Sequence, residues 1–251
     1  MACATTMIWR LATSSKLFAR IVAILGLLGA PGTGATLTGQ IQLIQSGNPS
    51  VTKKADYSGV VVWLTSSTQP VVRASGKRVT MLQKDKRFVP HILPIEVGTS
   101  VEFPNLDPIF HNAFSNYNGQ IFDVALYPPG TSKTVKFDRP GIVRVFCNIH
   151  PTMSAIILAL TSPYFATTGH RGEYKIANVP PGTYDVHFFH ERATPETLNA
   201  LTRRVVISND LCLPVVSISE AGYLPVAHKN KYGRDYPPVS EEVGGYKPPL
   251  K

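Results

Sequence analysis

Sulfur is scarce in this sequence: 251 residues hold three cysteines and four methionines. One cysteine and two methionines fall in the first seven residues, so the body of the chain keeps only Cys147, Cys212, Met81 and Met153. No Cys-x-x-Cys-His is present, which argues against covalent c-type haem, and two thiols are fewer than structural zinc sites usually offer. Acid is also in short supply, 16 residues against 25 basic ones, for a formal charge of +9. No long basic run and no basic stripe interleaved with aromatics accompanies that charge, so nucleic-acid binding is unsupported. The excess would bias encounters toward acidic partners or an anionic membrane face. There is no long amphipathic helix. No Ser-His-Asp set, paired-carboxylate motif or phosphate-binding glycine loop appears, and the chain reads as a protein that is not an enzyme.

What is present is a hydrophobic fraction of 43%, enough for one large or two small cores, with 21 prolines and 19 glycines set between short runs of Val, Ile, Thr, Phe and Tyr. Many short strands and many turns follow. The N-terminus carries Arg10, Lys16 and Arg20, then an apolar run over 21–30, then small residues ending at Ala35. Residues 1–35 are expected to be a secretory signal, since about ten apolar residues are too few to span a bilayer, where about twenty are needed. Removing its three cations leaves +6. The mature protein is expected in the periplasm or outside the cell, without a transmembrane segment. Thiols tend to pair in such a compartment, and a Cys147–Cys212 disulfide is the default against which any other use of Cys147 must compete.

From residue 77 to 161, alternating runs such as SVEF at 100–103, KTVKF at 133–137 and IVRVF at 142–146 read as half-buried strands. Turn clusters at Gly98, Gly130 and Gly141 separate them, and the stretch is expected to be an antiparallel sandwich. A second β-rich stretch covers 163–219, short for an independent core. Clean alternation at 39–44 and the buried-type run at 59–64 supply candidate missing strands far upstream. The motif Gly172-x-Tyr174 followed by Val179-Pro180-Pro181-Gly182-x-Tyr184 resembles the carboxypeptidase regulatory-like, or transthyretin-like, module. Residues 38–66 are therefore expected to pair with 163–219, with the domain at 77–161 inserted between them. Two sequential domains are the alternative. The tail 221–251 has no hydrophobic periodicity and is expected to be flexible or draped on the surface.

The segment VFCNIHPTM, 145–153, spaces a thiolate, an imidazole and a thioether at Cys147, His150 and Met153, just past a strand. A turn between two strands brings all three to a common point. His111, 36 residues upstream in FHNAF, supplies a fourth ligand. Two imidazoles and a thiolate with a weak axial methionine form the electron-transfer copper arrangement. Zinc is the rival metal, with little use for a thioether. For single residues the alternatives are a disulfide for Cys147, a turn histidine for His111 and a core filler for Met153. His187 and His190 lie three apart in a strand, hence on opposite faces, and His91 reads as a strand histidine; none joins the site.

The order Asn105, His111-Asn112, Pro140-Gly141, Phe146-Cys147, His150-Pro151 and Met153 resembles the plastocyanin/amicyanin branch of the cupredoxins, and the Cys-x-x-His-x-x-Met loop is most similar to amicyanin. The resemblance implies a Greek-key β-sandwich, so that the whole chain is expected to be all-β: a cupredoxin sandwich plus a small transthyretin-like one. It implies one copper per chain held by His111 Nδ1, His150 Nδ1, the Cys147 thiolate and axial Met153, with Asn112 tying the ligand loops together. The expected function is one-electron transfer between redox protein partners through the edge of His150, with Ile149, Pro151 and the pair at 128–129 framing the docking patch. The alternative is an envelope binding or structural protein, with a carbohydrate or protein ligand on the second module and a storage or incidental copper. Multicopper oxidases and nitrite reductases flank the thiolate with histidines, whereas Phe146 and Asn148 stand here. Cys212 is expected to be a free, buried thiol.

Overall fold

The computed structural model describes residues 34–66, 76–116, 119–224 and 228–236. Most of the expected signal segment, and the tail beyond 236, lie outside the described residues. The fold is all-β. Among the described residues two helices occur, Pro49–Lys54 and Pro195–Leu201, each opening on proline after an Asn48 or Thr194 side chain that caps it. No helix among these residues is long and apolar enough to cross a membrane.

One sandwich packs a sheet ordered Ile92–Glu96, Ser154–Leu160, Gly141–Phe146, Phe114–Ser115, Phe122–Asp123 against a sheet ordered Ser132–Phe137, Thr99–Pro104, Arg78–Thr80. The antiparallel register pairs Gly141 with Ala159 and Phe146 with Ser154, so residues 147–153 form the connecting turn. Strand alternation then decides which way each side chain goes. Val143, Val145 and Cys147 enter the core with Phe103, Phe137 and Met153, while Arg144 stays exposed.

In Ser154–Leu160 the odd residues Ala155, Ile157 and Ala159 join that core, whereas Ile156, Leu158 and Leu160 face the other way and pack on Val61 and Phe189. Both faces of this strand are buried, which is why it reads as an unbroken apolar run.

Val61 and Phe189 belong to a second sandwich. Its sheets are ordered Phe165–Thr167, Val61–Thr65, Gly182–Phe189, Arg203–Ile207, and Glu173–Val179, Ala35–Ile44, Leu211–Cys212, with Val216–Ser219 also beside Ala35–Ile44. Val61 pairs with Phe189, Thr65 with Asp185, and Gly39 with Tyr174, so strands from before residue 66 interleave with strands from after residue 164. Gly172 makes one junction possible. Its φ is +80°, its carbonyl accepts the Ile41 N–H at 2.9 Å, and a Cβ there would run into the Ile41 carbonyl oxygen. At the next corner Tyr184 donates its hydroxyl to the Pro180 carbonyl at 2.8 Å and holds the turn at 180–182.

Cys212 corrects one expectation: it is exposed. The two-residue strand Leu211–Cys212 runs parallel to Leu37–Thr38, and alternation that turns Leu211 onto the core turns Cys212 away from it. Cys147 is buried and both thiols are free, so the default disulfide is not formed.

The sandwiches are joined by polar bonds as well as by the shared apolar face. His91 lies beside the Ser154 carbonyl through Nδ1 at 3.0 Å and the Glu191 carboxylate through Nε2 at 2.7 Å. The bond to Glu191 raises the His91 pKa above its ordinary 6.5. Burial alone would raise Glu191, but the His91 bond and nearby cations bring it below its ordinary 4.5. A raised histidine stabilises below its unfolded pKa and loses that contribution as pH rises through its folded value; a depressed carboxylate stabilises above its unfolded pKa and loses it on acidification. The pair should therefore contribute fully between about pH 4.5 and 6.5. In urea titrations of metal-free protein, the stability difference between parent and His91→Gln should be largest in that window and shrink above it; a difference that grows toward pH 9 would contradict the assignment.

Candidate metal centre

Cys147 sits one residue past the Gly141–Phe146 strand, where regular pairing stops. Its N–H donates to the Met153 carbonyl at 3.1 Å, and the Met153 N–H donates to the His150 carbonyl at 3.1 Å. These two bonds close the turn and fold His150 back toward the sulfur. His150 Nδ1 lies 3.5 Å from Cys147 Sγ, and His111 Nδ1 lies 3.9 Å from it on the opposite side of the sequence gap. The imidazole centroids are 4.8 Å apart with the rings inclined at 60°. His111, Cys147 and His150 thus bring three donor atoms within 4.8 Å of one another. Met153 ends the turn, fully buried, in the same core cluster as Cys147.

His111 is placed by its backbone, which exchanges bonds with Tyr127: N–H to carbonyl at 3.2 Å one way and 2.9 Å the other. Its side chain is placed by Asp107, whose Oδ2 accepts the Nε2 proton at 2.7 Å. Asp107 is held in turn by the N–H groups of Asp85 at 2.6 Å and Lys86 at 2.9 Å, two consecutive left-handed residues of a hairpin turn. Burial by itself would raise the Asp107 pKa; the bonds from Lys86, His111 and Asp85 outweigh it and hold the carboxyl below the usual range. With its proton pinned on Nε2, His111 turns the Nδ1 lone pair toward Cys147, the tautomer a metal-binding imidazole needs.

Asp107 was missed in the sequence. Its one signal is a carboxylate four residues before a histidine in a loop, a spacing too common to single out.

Asn112 ties the two loops. Its Oδ1 accepts the Asn148 N–H at 2.6 Å and its Nδ2 donates to Asp123 Oδ1 at 3.0 Å. Asn105 organises the loop before His111, accepting the Asp107 N–H at 3.1 Å and donating to the Ile109 carbonyl at 2.8 Å. The other histidines read out of the site stand apart from it. His187 stacks on Trp63 with centroids 5.1 Å apart, and His190 contacts Glu220 at 2.8 Å.

Donor spacing provides a test of fit. A first-row ion with bonds of about 2.0 Å to nitrogen and about 2.3 Å to sulfur spans donors about 3.5 Å apart at the tetrahedral angle and about 3.7 Å apart at 120°. The observed 3.5 and 3.9 Å bracket those values. Without an ion the pocket disfavours charge: burial pushes the Cys147 thiol up, opposed by N–H groups of Asn112, Ile149 and His150 aimed at the sulfur. Those same N–H groups are ready partners for a thiolate once a cation compensates the burial.

No protein-family model matches the chain, and no curated protein matches it. Among solved structures, a copper-containing nitrite reductase, NirK, from Thermus scotoductus SA-01 is similar at 29% identity and TM-score 0.32, over 37% of this chain and 25% of that one. The chain thus spans about a quarter of that reductase. A purple cupredoxin from Nitrosopumilus maritimus is similar at 22% identity and TM-score 0.30, over 34% of this chain and 99% of the other. Amicyanin from Paracoccus versutus is similar at 18% identity and TM-score 0.31, over 39% and 97%. These structural neighbours are copper proteins of cupredoxin type, matched over little more than a third of the chain. Likeness at that level assigns no activity; the side-chain geometry has to.

The buried thiol generates a prediction that needs no metal. In metal-free Cys212→Ser protein, alkylation of Cys147 should rise with pH about a midpoint above the ordinary thiol value of 9.0. A midpoint below 9.0 would mean that the pocket favours the thiolate on its own and would contradict this account.

Proposed function

We propose that the protein is a type 1 copper electron carrier whose ligands are His111, Cys147, His150 and Met153, one copper per chain. The observation that carries this is the convergence of two Nδ1 atoms on one buried thiol, with the His111 tautomer fixed by Asp107. Thiolate and thioether are soft donors that suit Cu(I), and imidazole serves Cu(II) as well. Copper held there supplies a one-electron couple between those states. The residues supply the rest: closed backbone turns, the Asp107 and Asn112 bonds and a packed core hold the donors still, so that little has to move when charge changes.

His150 is the exit. It is half-buried, whereas His111 is fully enclosed. Next in sequence to Asp107, His111, Tyr127 and His150, four apolar side chains are exposed: Leu106 at 55%, Leu126 at 52%, and Phe110 and Ile149 at 42% each. With Pro128, Pro129 and Pro151 they form a docking patch suited to brief contact with a redox protein partner. Phe146 and Asn148 flank the thiolate where a relay to a second copper would want histidine. These features favour a carrier over an oxidase or reductase. We place the copper domain at 77–161, inserted into a transthyretin-like sandwich of 38–66 and 163–219, in a protein exported to the periplasm or beyond.

The test is to load the purified protein with Cu(II) and record its visible spectrum and potential. The parent should show an intense charge-transfer band, hold one copper and cycle reversibly. Cys147→Ser should abolish the band, because a hydroxyl cannot replace a polarizable thiolate. Met153→Gln should keep the colour and lower the potential, since a harder axial oxygen favours Cu(II). Two tightly bound coppers, or turnover of oxygen or nitrite, would refute the carrier.

A further inference from the structure

We infer that residues 228–236 are a clamp on the outer side of the Cys147 turn, with Tyr236 as its positioning residue. The composition of this segment says nothing of the kind, yet its contacts converge on three consecutive residues, 146–148. Tyr236 donates its hydroxyl to the Cys147 carbonyl at 2.7 Å. The Lys231 N–H donates to Asn148 Oδ1 at 3.0 Å. The His228 ring stacks on Phe146 with centroids 4.1 Å apart and planes 25° from parallel.

Proton accounting makes the arrangement specific. A carbonyl only accepts, so the single Tyr236 hydroxyl proton is spent on Cys147; His228 Nδ1, 3.2 Å from the same oxygen, must then be the donor there. The segment also closes on itself: Asn230 and Arg234 share a backbone bond, and Asn230 Oδ1 accepts the N–H groups of Tyr232 and Arg234. Lys231 Nζ meets Asp123 Oδ2 at 2.7 Å, while the other Asp123 oxygen accepts from Asn112, which receives the Asn148 N–H. Tail, Asp123, Asn112 and Asn148 thus form one ring of bonds around the turn.

The consequence falls on the sulfur. Met153 takes the Cys147 N–H from inside and Tyr236 holds its carbonyl from outside, so the peptide planes on both sides of the ligand are fixed. Releasing the carbonyl leaves the plane between 147 and 148 held only by the Asn148 N–H at Asn112, so that it tilts about that one bond, and the distance from Sγ to the two Nδ1 atoms changes with it. The link to redox behaviour rests on the copper reading above; the clamp itself does not.

Tyr236→Phe keeps the ring and removes the bond, and Arg234→Ala, at an exposed clamp residue, is the control. Hydrogen exchange of metal-free protein, read on peptides covering 146–150, should quicken about five- to tenfold in Tyr236→Phe, as loss of one bond to a carbonyl implies, and stay at the parental rate in the control. After copper loading, Tyr236→Phe should remain coloured with a displaced charge-transfer band and a changed reduction potential. Parental exchange in Tyr236→Phe would overturn the clamp, whether or not the protein takes copper. Faster exchange with an unmoved band and potential would overturn the positioning role.

Discussion

A thiol withdrawn from water between two imidazole nitrogens is the constraint around which this molecule is organised. An ionised sulfur in such a place is unfavourable unless a cation and several N–H donors compensate it. The structure supplies the donors from the backbone of residues 112, 149 and 150. The pocket is thereby poorly suited to a bare thiolate and well suited to a metal-bound one. Fixing His111 through Asp107 extends the same logic one shell outward, because an imidazole free to turn would present the wrong nitrogen.

The β-scaffold meets the geometric demand. Cys147 closes a strand whose alternation carries Val143, Val145 and then the sulfur into the core, so its direction is inherited from six paired residues before it. The turn needs only two backbone bonds to return His150 to the same point. The neighbouring strand Ser154–Leu160 is buried on both faces, inside by the core and outside by the second sandwich. The second sandwich packs on Ile156 and Leu158, and His228 stacks on Phe146, so both cover the face of the sheet turned away from its core.

Much of this was legible in the sequence because its signals are local. Alternation gave the strands at 99–104, 132–137 and 141–146, and glycines at 98, 130 and 141 have the positive φ their turns required. The Cys-x-x-His-x-x-Met spacing placed Cys147 and His150 together before any coordinates did. What escaped has no periodicity or spacing of its own. Asp107 is one polar loop residue among several, and its role depends on two left-handed residues more than twenty positions upstream. The exposure of Cys212 follows from which neighbour of a two-residue strand meets the core, and Leu211 is an equally ordinary residue. The tail looked featureless because its bonds run from single side chains to backbone groups some 80 to 90 residues away.

The central claim is that one sulfur and two imidazole nitrogens share a copper ion. X-ray absorption at the copper edge of the loaded protein addresses it most directly. One short copper–sulfur distance with two nitrogen scatterers near 2.0 Å, the sulfur lost in Cys147→Ser, is the result this account predicts. A first shell of nitrogen and oxygen alone, unchanged by that substitution, would contradict it.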